Sequence, residues 1–224
     1  MKDLRTKAIV LRRTNYGESD RILNLLTPEG KVAVLARGVR KEKSRLAGGI
    51  EPFSVTDVVI HQGRSSLGTL TSAKMLRFFG NILSDLDRLE LAGTFLKRLD
   101  RAAEQVSIPE HYSLLVQSLN GLNMNLPIPV ISTWFNLNLA SISGETVNFL
   151  CDINGEDLSS ERRYVWDNAE LALRPDPRGP ISANEIKLAR FLLANQLSWA
   201  IKVERLDQHL PPITQIANTS FQNL

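Results

Sequence analysis

The sequence predicts an α+β protein, a small closed barrel of five short strands followed by an α-helical region. Three observations carry this. Residues 1–80 are short apolar, β-branched runs broken by turn residues, with no strong helix between them. Beyond residue 81, apolar residues recur near the 3.6-residue spacing of amphipathic helices. The charge is also divided: residues 1–80 hold 15 Lys+Arg against 7 Asp+Glu, a balance of +8, and residues 81–224 hold 12 against 17, a balance of −5. A basic first third joined to an acidic remainder suits a nucleic-acid-binding module attached to something else. The expected boundary separates a barrel at 1–79 from a helical region at 80–224.

At 224 residues, 43% hydrophobic and 23% charged, the chain has the composition of a folded protein. Cys151 is its one cysteine, which excludes an intrachain disulfide and a multi-cysteine metal site. No apolar run approaches the ~20 residues of a membrane-spanning helix. The apolar core near the N-terminus is too short for a secretory signal. A cytoplasmic location, associated with the nucleoid, is the expectation.

The first strand is expected at residues 8–11, ahead of Arg12 and Arg13, with Thr14-Asn15-Tyr16-Gly17 as a turn. A second follows at 21–27, and Pro28-Glu29-Gly30 connects it tightly to a third at 31–37. The fourth and fifth are expected at 53–61 and 67–79, turned at residues 62–66. Five strands in about eighty residues fit an OB-fold barrel, although SH3-like barrels have similar counts. OB-folds often bind single-stranded nucleic acid.

The third strand leads into the most cationic stretch of the chain. Lys31, Arg37, Arg40, Lys41, Lys43 and Arg45 stand against one acid, Glu42. Phosphates are spaced along a polymer and each takes one Lys or Arg, so such a loop beside a rigid barrel suits a polyanion. The loop is expected to be mobile, flanked by Gly38 and Gly48-Gly49. Arg12 and Arg21 are outer members of the set, and Tyr16 is expected either to stack on a base or to pack as a turn aromatic. Glu18 and Asp20 are expected to partner Arg21 or to cap the loop.

These residues also carry a family pattern. Thr6-Lys7-Ala8-Ile9-Val10-Leu11-Arg12, Tyr16-Gly17-Glu18-Ser19-Asp20-Arg21-Ile22-Leu23 and Leu26-Thr27-Pro28-Glu29-Gly30-Lys31 resemble the opening of the bacterial recombination mediator family RecO. Ala36-Arg37-Gly38-Val39-Arg40-Lys41, Ser44-Arg45 and Glu51-Pro52-Phe53 continue the likeness in order. The resemblance implies an OB-fold that binds single- and double-stranded DNA, followed by a helical domain. It implies a non-enzymatic role: annealing complementary strands, remodelling single-strand-binding protein and indirectly helping RecA to load, usually with RecR.

Helices are expected at 81–105, with Ser84 and Asp87 as a capping pair, at 109–123 behind Pro109, and at 129–141. Family members bind the acidic, Phe-ended tail of single-strand-binding protein through a helical-domain pocket, for which Lys97, Arg98 and Arg101 are the cations singled out here. Many members also hold zinc with two Cys-x-x-Cys pairs in the region of 144–180. This chain keeps one of the four cysteines, Cys151, so the resemblance implies a degenerate zinc segment without metal. Phe149, Tyr164, Val165 and Trp166 are expected to hold this irregular insert instead. Ser182 and Glu185 form a capping box for a last helix reaching about residue 202, and the tail from Pro211 is expected to be polar and frayed.

No catalytic site and no cofactor are expected. His61, His111 and His209 are scattered, no nucleophile–base pair is visible, and no GxxxxGK[ST] phosphate loop occurs. Two other readings remain at this point. One is a metal-dependent nuclease using Asp85, Asp87 and Glu90, and the other is a barrel that binds RNA or a protein.

Overall fold

The computed structural model describes residues 2–63, 67–105, 108–144 and 148–219. The chain divides into two compact units, Met1–Met124 and Asn125–Leu224.

The first unit contains β1 (Lys2–Tyr16), β2 (Asp20–Thr27), β3 (Gly30–Ala36), β4 (Ser54–Gln62) and β5 (Gly68–Phe78). They close in the order β1-β2-β3-β5-β4, antiparallel throughout except for the β3–β5 pair. This is the OB-fold the sequence predicts. Ala8, Val10, Leu23, Leu25, Val34, Ala36, Val58, Ile60 and Leu70 fill the interior. Gly68 is required where β5 crosses to β3, because a Cβ there would stand 2.7 Å from Cγ2 of Ile60.

β1 is much longer than the apolar run at residues 8–11. Its first half pairs with β4 and its second half with β2, and a bulge between Val10 and Arg12 bends it where the partner changes. Thr14, Asn15 and Tyr16, expected in a turn, therefore belong to the ladder. The turn falls one step later, with Gly17 at φ +58°. Cross-strand hydrogen bonds override the local preference of these residues.

Two helices complete this unit, α1 (Leu86–Gln105) and α2 (Pro109–Asn123). Residues 80–84 form a 3-10 turn, so α1 starts later than predicted. Ser84 is not its cap: the hydroxyl donates to the Asn81 carbonyl, and Asp85 accepts the Arg88 amide at 3.2 Å. Both helices pack against the outside of β1–β3.

The second unit contains α3 (Ile128–Ile142), β6 (Asn148–Asp152), β7 (Tyr164–Asp167), β8 (Ala172–Pro175), α4 (Ala183–Ala194), α5 (Leu197–Ala200) and α6 (Leu206–Thr219). The segment expected to be irregular forms a three-stranded sheet in the order β6-β8-β7. Phe149 and Tyr164 are buried, and the Phe149 and Trp166 rings stack at 6.2 Å. Val165 and Trp166 are only half-buried. The Asp152 carboxylate accepts the amides of Asn154 and Glu156, which shapes the loop after β6. Cys151 accepts a hydrogen bond from Asn148, and no group of three His, Cys, Asp or Glu suited to a metal occurs among the described residues.

The Ser182–Glu185 capping box is present. The helix it opens stops at Ala194 rather than near residue 202. Its released carbonyls are taken by side chains: Asn138 donates to Leu192 and the Trp134 indole donates to Asn195. Of the tail from Pro211, expected to fray, residues 211–219 lie within α6, where Leu210, Ile213, Ile216 and Ala217 are buried, and residues 220–224 lie outside the described residues. Their i, i+3, i+4 spacing buries enough apolar surface to hold the helix through Pro211 and Pro212.

Candidate nucleic-acid interface

The alternation of β2 and β3 sorts their side chains onto two faces. The pairs Leu23–Val34 and Leu25–Val32 point into the barrel, whereas Ile22–Leu35, Asn24–Ala33 and Leu26–Lys31 point outwards. The two ends of the outer face differ. At the Leu26 end the helices cover it: Ile9 and Leu26 are fully buried, and Asn24 donates to Asp100 of α1 at 2.9 Å. At the other end Thr14 and Tyr16 are exposed and Ile22 and Leu35 half-buried. The outer face of strands 2 and 3 is where OB-folds commonly take oligonucleotides, and here only its upper half is open.

The β3–β4 loop rises beside that open half. It is a succession of turns tethered by hydrogen bonds. Asp20 Oδ1 accepts the Gly38 amide at 2.7 Å, and the Arg40 amide donates to the Ser19 carbonyl at 2.9 Å. Lys41 and Ser44 amides close successive turns onto Gly38 and Lys41. Val39, in the middle of the cationic run, is 3% exposed and packs into the barrel core. Burying it turns its charged neighbours outwards.

Arg37, Arg40, Lys41, Lys43 and Arg45 are all exposed, and none forms an ion pair among the described residues. Arg40 also donates to the Gly17 carbonyl at 3.3 Å. Arg12 is exposed, in register with Asn24 on the outer face. Tyr16 is 55% exposed at the same end. Arg21 is half-buried and donates to Asn15 at 3.2 Å. Lys31 stands apart, because its ammonium lies 2.6 Å from Asp100 and 3.0 Å from Glu104, with 11% of its side chain exposed.

On α1, Lys97 and Arg101 are exposed one turn apart and Arg98 is half-buried, its guanidinium pKa lowered by that burial. Asp85 is engaged with the Arg88 amide and, at 3.5 Å, with its guanidinium. Asp87 and Glu90 are exposed helix acids, Asp87 in the first turn where a carboxylate suits the helix dipole. In the second unit a hollow of about 440 Å³ has Leu188, Phe191 and Val203 in its wall, with Lys187, Arg205, His209 and the acid Glu204 beside them. Its lining comes from two stretches, residues 184–191 and 203–209, which no local pattern joins.

The first 79 residues match the family model "Recombination protein O N terminal". The chain is 29% identical over 213 residues to the DNA repair protein RecO of Dehalococcoides mccartyi, covering 91% of this chain and 84% of that protein. It is 33% identical over 201 residues to the DNA repair protein RecO of Roseiflexus sp., covering 86% and 71%. With that of Rubrobacter xylanophilus it shares 36% over 142 residues, covering 62% and 57%.

Proposed function

The chain belongs to the RecO family of DNA repair proteins, and from this we propose that it is a recombination mediator that holds DNA at the basic β3–β4 loop. The observation that carries the reading is the set of five exposed cations without ion pairs among the described residues, on tethered turns beside the open end of the outer barrel face. Charges of one sign on a pre-shaped support bind a phosphate backbone without first losing loop entropy. If four or five contacts form with single-stranded DNA, log K falls against log salt with a slope of roughly −3. Arg12, Arg21 and Tyr16 extend the contact, and Lys31 supports the platform from beneath.

Few aromatic side chains accompany the cations, so charge outweighs stacking and the protein accepts both single- and double-stranded DNA. Holding two single strands by their backbones leaves their bases free to pair, which is what annealing requires. In this reading the protein performs no bond chemistry, works in the cytoplasm at the nucleoid, and helps RecA to load on strands coated with single-strand-binding protein, together with RecR. The acidic tail of single-strand-binding protein is taken by exposed helix cations, Lys97 and Arg101 with Arg98 behind them.

The test is annealing of complementary strands coated with cognate single-strand-binding protein, comparing wild type with Arg40→Ala/Lys41→Ala. The double variant should anneal slowly and bind DNA weakly. Unaltered binding and annealing would remove the loop from the mechanism.

A further inference from the structure

We propose that Asp20 is a positioning residue of the DNA interface: its carboxylate holds the basic loop in the conformation that presents Arg40 and Lys41. The proposal rests on the reading of that loop as the DNA-binding surface.

Asp20 opens β2, opposite Tyr16 across the hairpin. Its Oδ1 accepts the Gly38 amide at 2.7 Å and the Ser19 hydroxyl at 3.2 Å. Gly38 lies two residues beyond the end of β3, in the first turn of the loop, at φ +62°, a conformation that suits glycine. The anchored residue then sets the next turn, because the Lys41 amide returns to the Gly38 carbonyl at 3.1 Å. The Lys41 stem lies over Gly38, its Cδ 3.7 Å from where a Cβ would stand. Arg40 is tied to the same hairpin through Ser19 and Gly17. Of these tethers, only the one from Asp20 uses a side-chain acceptor. It is therefore the one that substitution can remove without touching a cation.

By charge alone an acid here is counterproductive, since a carboxylate beside a phosphate-binding loop repels the ligand. Placement and charge thus predict opposite signs for its removal. Asp20→Asn keeps an acceptor for the Gly38 amide and drops the charge. Asp20→Ala drops both.

Binding of fluorescently labelled oligo-dT is measured for wild type, both Asp20 variants and Arg40→Ala/Lys41→Ala over a range of salt concentrations. Asp20→Asn should bind as wild type does, or up to about twofold tighter, as expected for loss of one solvent-screened repulsion. Asp20→Ala should bind at least about fivefold more weakly, the effect of removing one hydrogen bond that orders the site, with a shallower salt slope. Rescue by the asparagine variant assigns the loss to the missing acceptor rather than to the missing charge. Should Asp20→Ala not fold, Asp20→Glu carries the test: it keeps the charge and moves the acceptor by one methylene, and it should bind more weakly.

An Asp20→Ala protein that binds as tightly as Asp20→Asn overturns the proposal, as does an Asp20→Glu protein that binds like wild type. If Arg40→Ala/Lys41→Ala also binds like wild type, the reading of the loop has failed. If that variant loses affinity and Asp20→Ala does not, only the positioning role has.

Discussion

The ammonium of Lys31 lies 2.6 Å from both the side-chain and the main-chain oxygen of Asp100, sixty-nine residues away in sequence. Both side chains are nearly buried, 11% and 12% exposed, and Asn24 donates to the same carboxylate. The pair fastens α1 to the outer face of the barrel. Lys31 is thereby ion-paired to both Asp100 and Glu104. Replacing Asp100 by Ala strands a nearly buried ammonium and should cost about 2–4 kcal/mol, below the full cost of breaking a buried pair because Glu104 remains. Urea unfolding measures this. Lys31→Met should cost less in stability and leave DNA affinity within about twofold; a large loss of affinity would return Lys31 to the interface.

The exposed cations should behave differently. Lys43→Ala and Arg45→Ala should each leave stability within about 0.5 kcal/mol of wild type, as for other surface changes. Each should make the salt slope for single-stranded DNA shallower by about 0.7 for every phosphate the side chain neutralises. Titrations at several salt concentrations give the slope directly, and a slope unchanged in both variants would exclude these two side chains from the interface.

Glu185 ties the N-terminus of α4 to α6. Its Oε2 accepts from the Ser182 amide and hydroxyl, and its Oε1 lies 2.6 Å from Nδ1 of His209. Burial opposes ionisation of the carboxyl, but the hydrogen bonds from Ser182, His209 and the backbone outweigh it, so its pKa lies below the ordinary 4.5. A depressed carboxyl contributes stability that is fully present above the unfolded value and is lost as pH falls through the folded one. Urea midpoints should therefore drop as pH falls below 4.5, and they should drop less steeply in Glu185→Gln. Parallel pH profiles for the two proteins would count against this linkage.

His111 is 1% exposed on α2, and neither ring nitrogen has a hydrogen-bond partner among the described residues. Burial holds its pKa below 6.5, with Glu110 acting weakly the other way. The unfolded chain then binds more protons just below pH 6.5, so stability should decline as pH falls through that range. His111→Leu should flatten the decline and add about 1 kcal/mol, since it removes buried polar atoms that lack partners. A variant that keeps the wild-type slope would assign the pH dependence to another group.

Ile213 on α6 is fully buried, although it follows two prolines in a stretch whose sequence reads as a tail. Ile213→Ala should destabilise the protein by about 2–5 kcal/mol, the range for deleting a packed aliphatic side chain. The exposed neighbour Gln215→Ala should change stability by less than about 0.5 kcal/mol. Equal effects from the two substitutions would mean that α6 is not docked.

Much of the fold is legible because its signals act over a few residues. β-branched runs between Pro, Gly and Asn mark the five strands, and Ser182 with Glu185 marks the start of α4. The cations from Arg37 to Arg45 mark the candidate site by proximity alone. Asp20 reads in sequence only as a partner for Arg21 or a loop cap, because no local rule connects it to Gly38, eighteen residues on. Gly38 and the apolar Val39 inside a cationic run are the available hints that the loop is folded down.

Local signals sufficed for the five barrel strands, the three helices that follow them and the start of α4, and for the division of charge; a single cysteine cannot supply four thiolates to a zinc ion. Packing between distant segments set which cations face solvent, how far β1 runs, that strands within 148–175 form a sheet, and that residues 211–219 are helical. Turn chemistry, capping and periodicity are properties of neighbouring residues and survive in any fragment. Ion pairing, ladder hydrogen bonds and burial need partners that the chain brings together only when it folds.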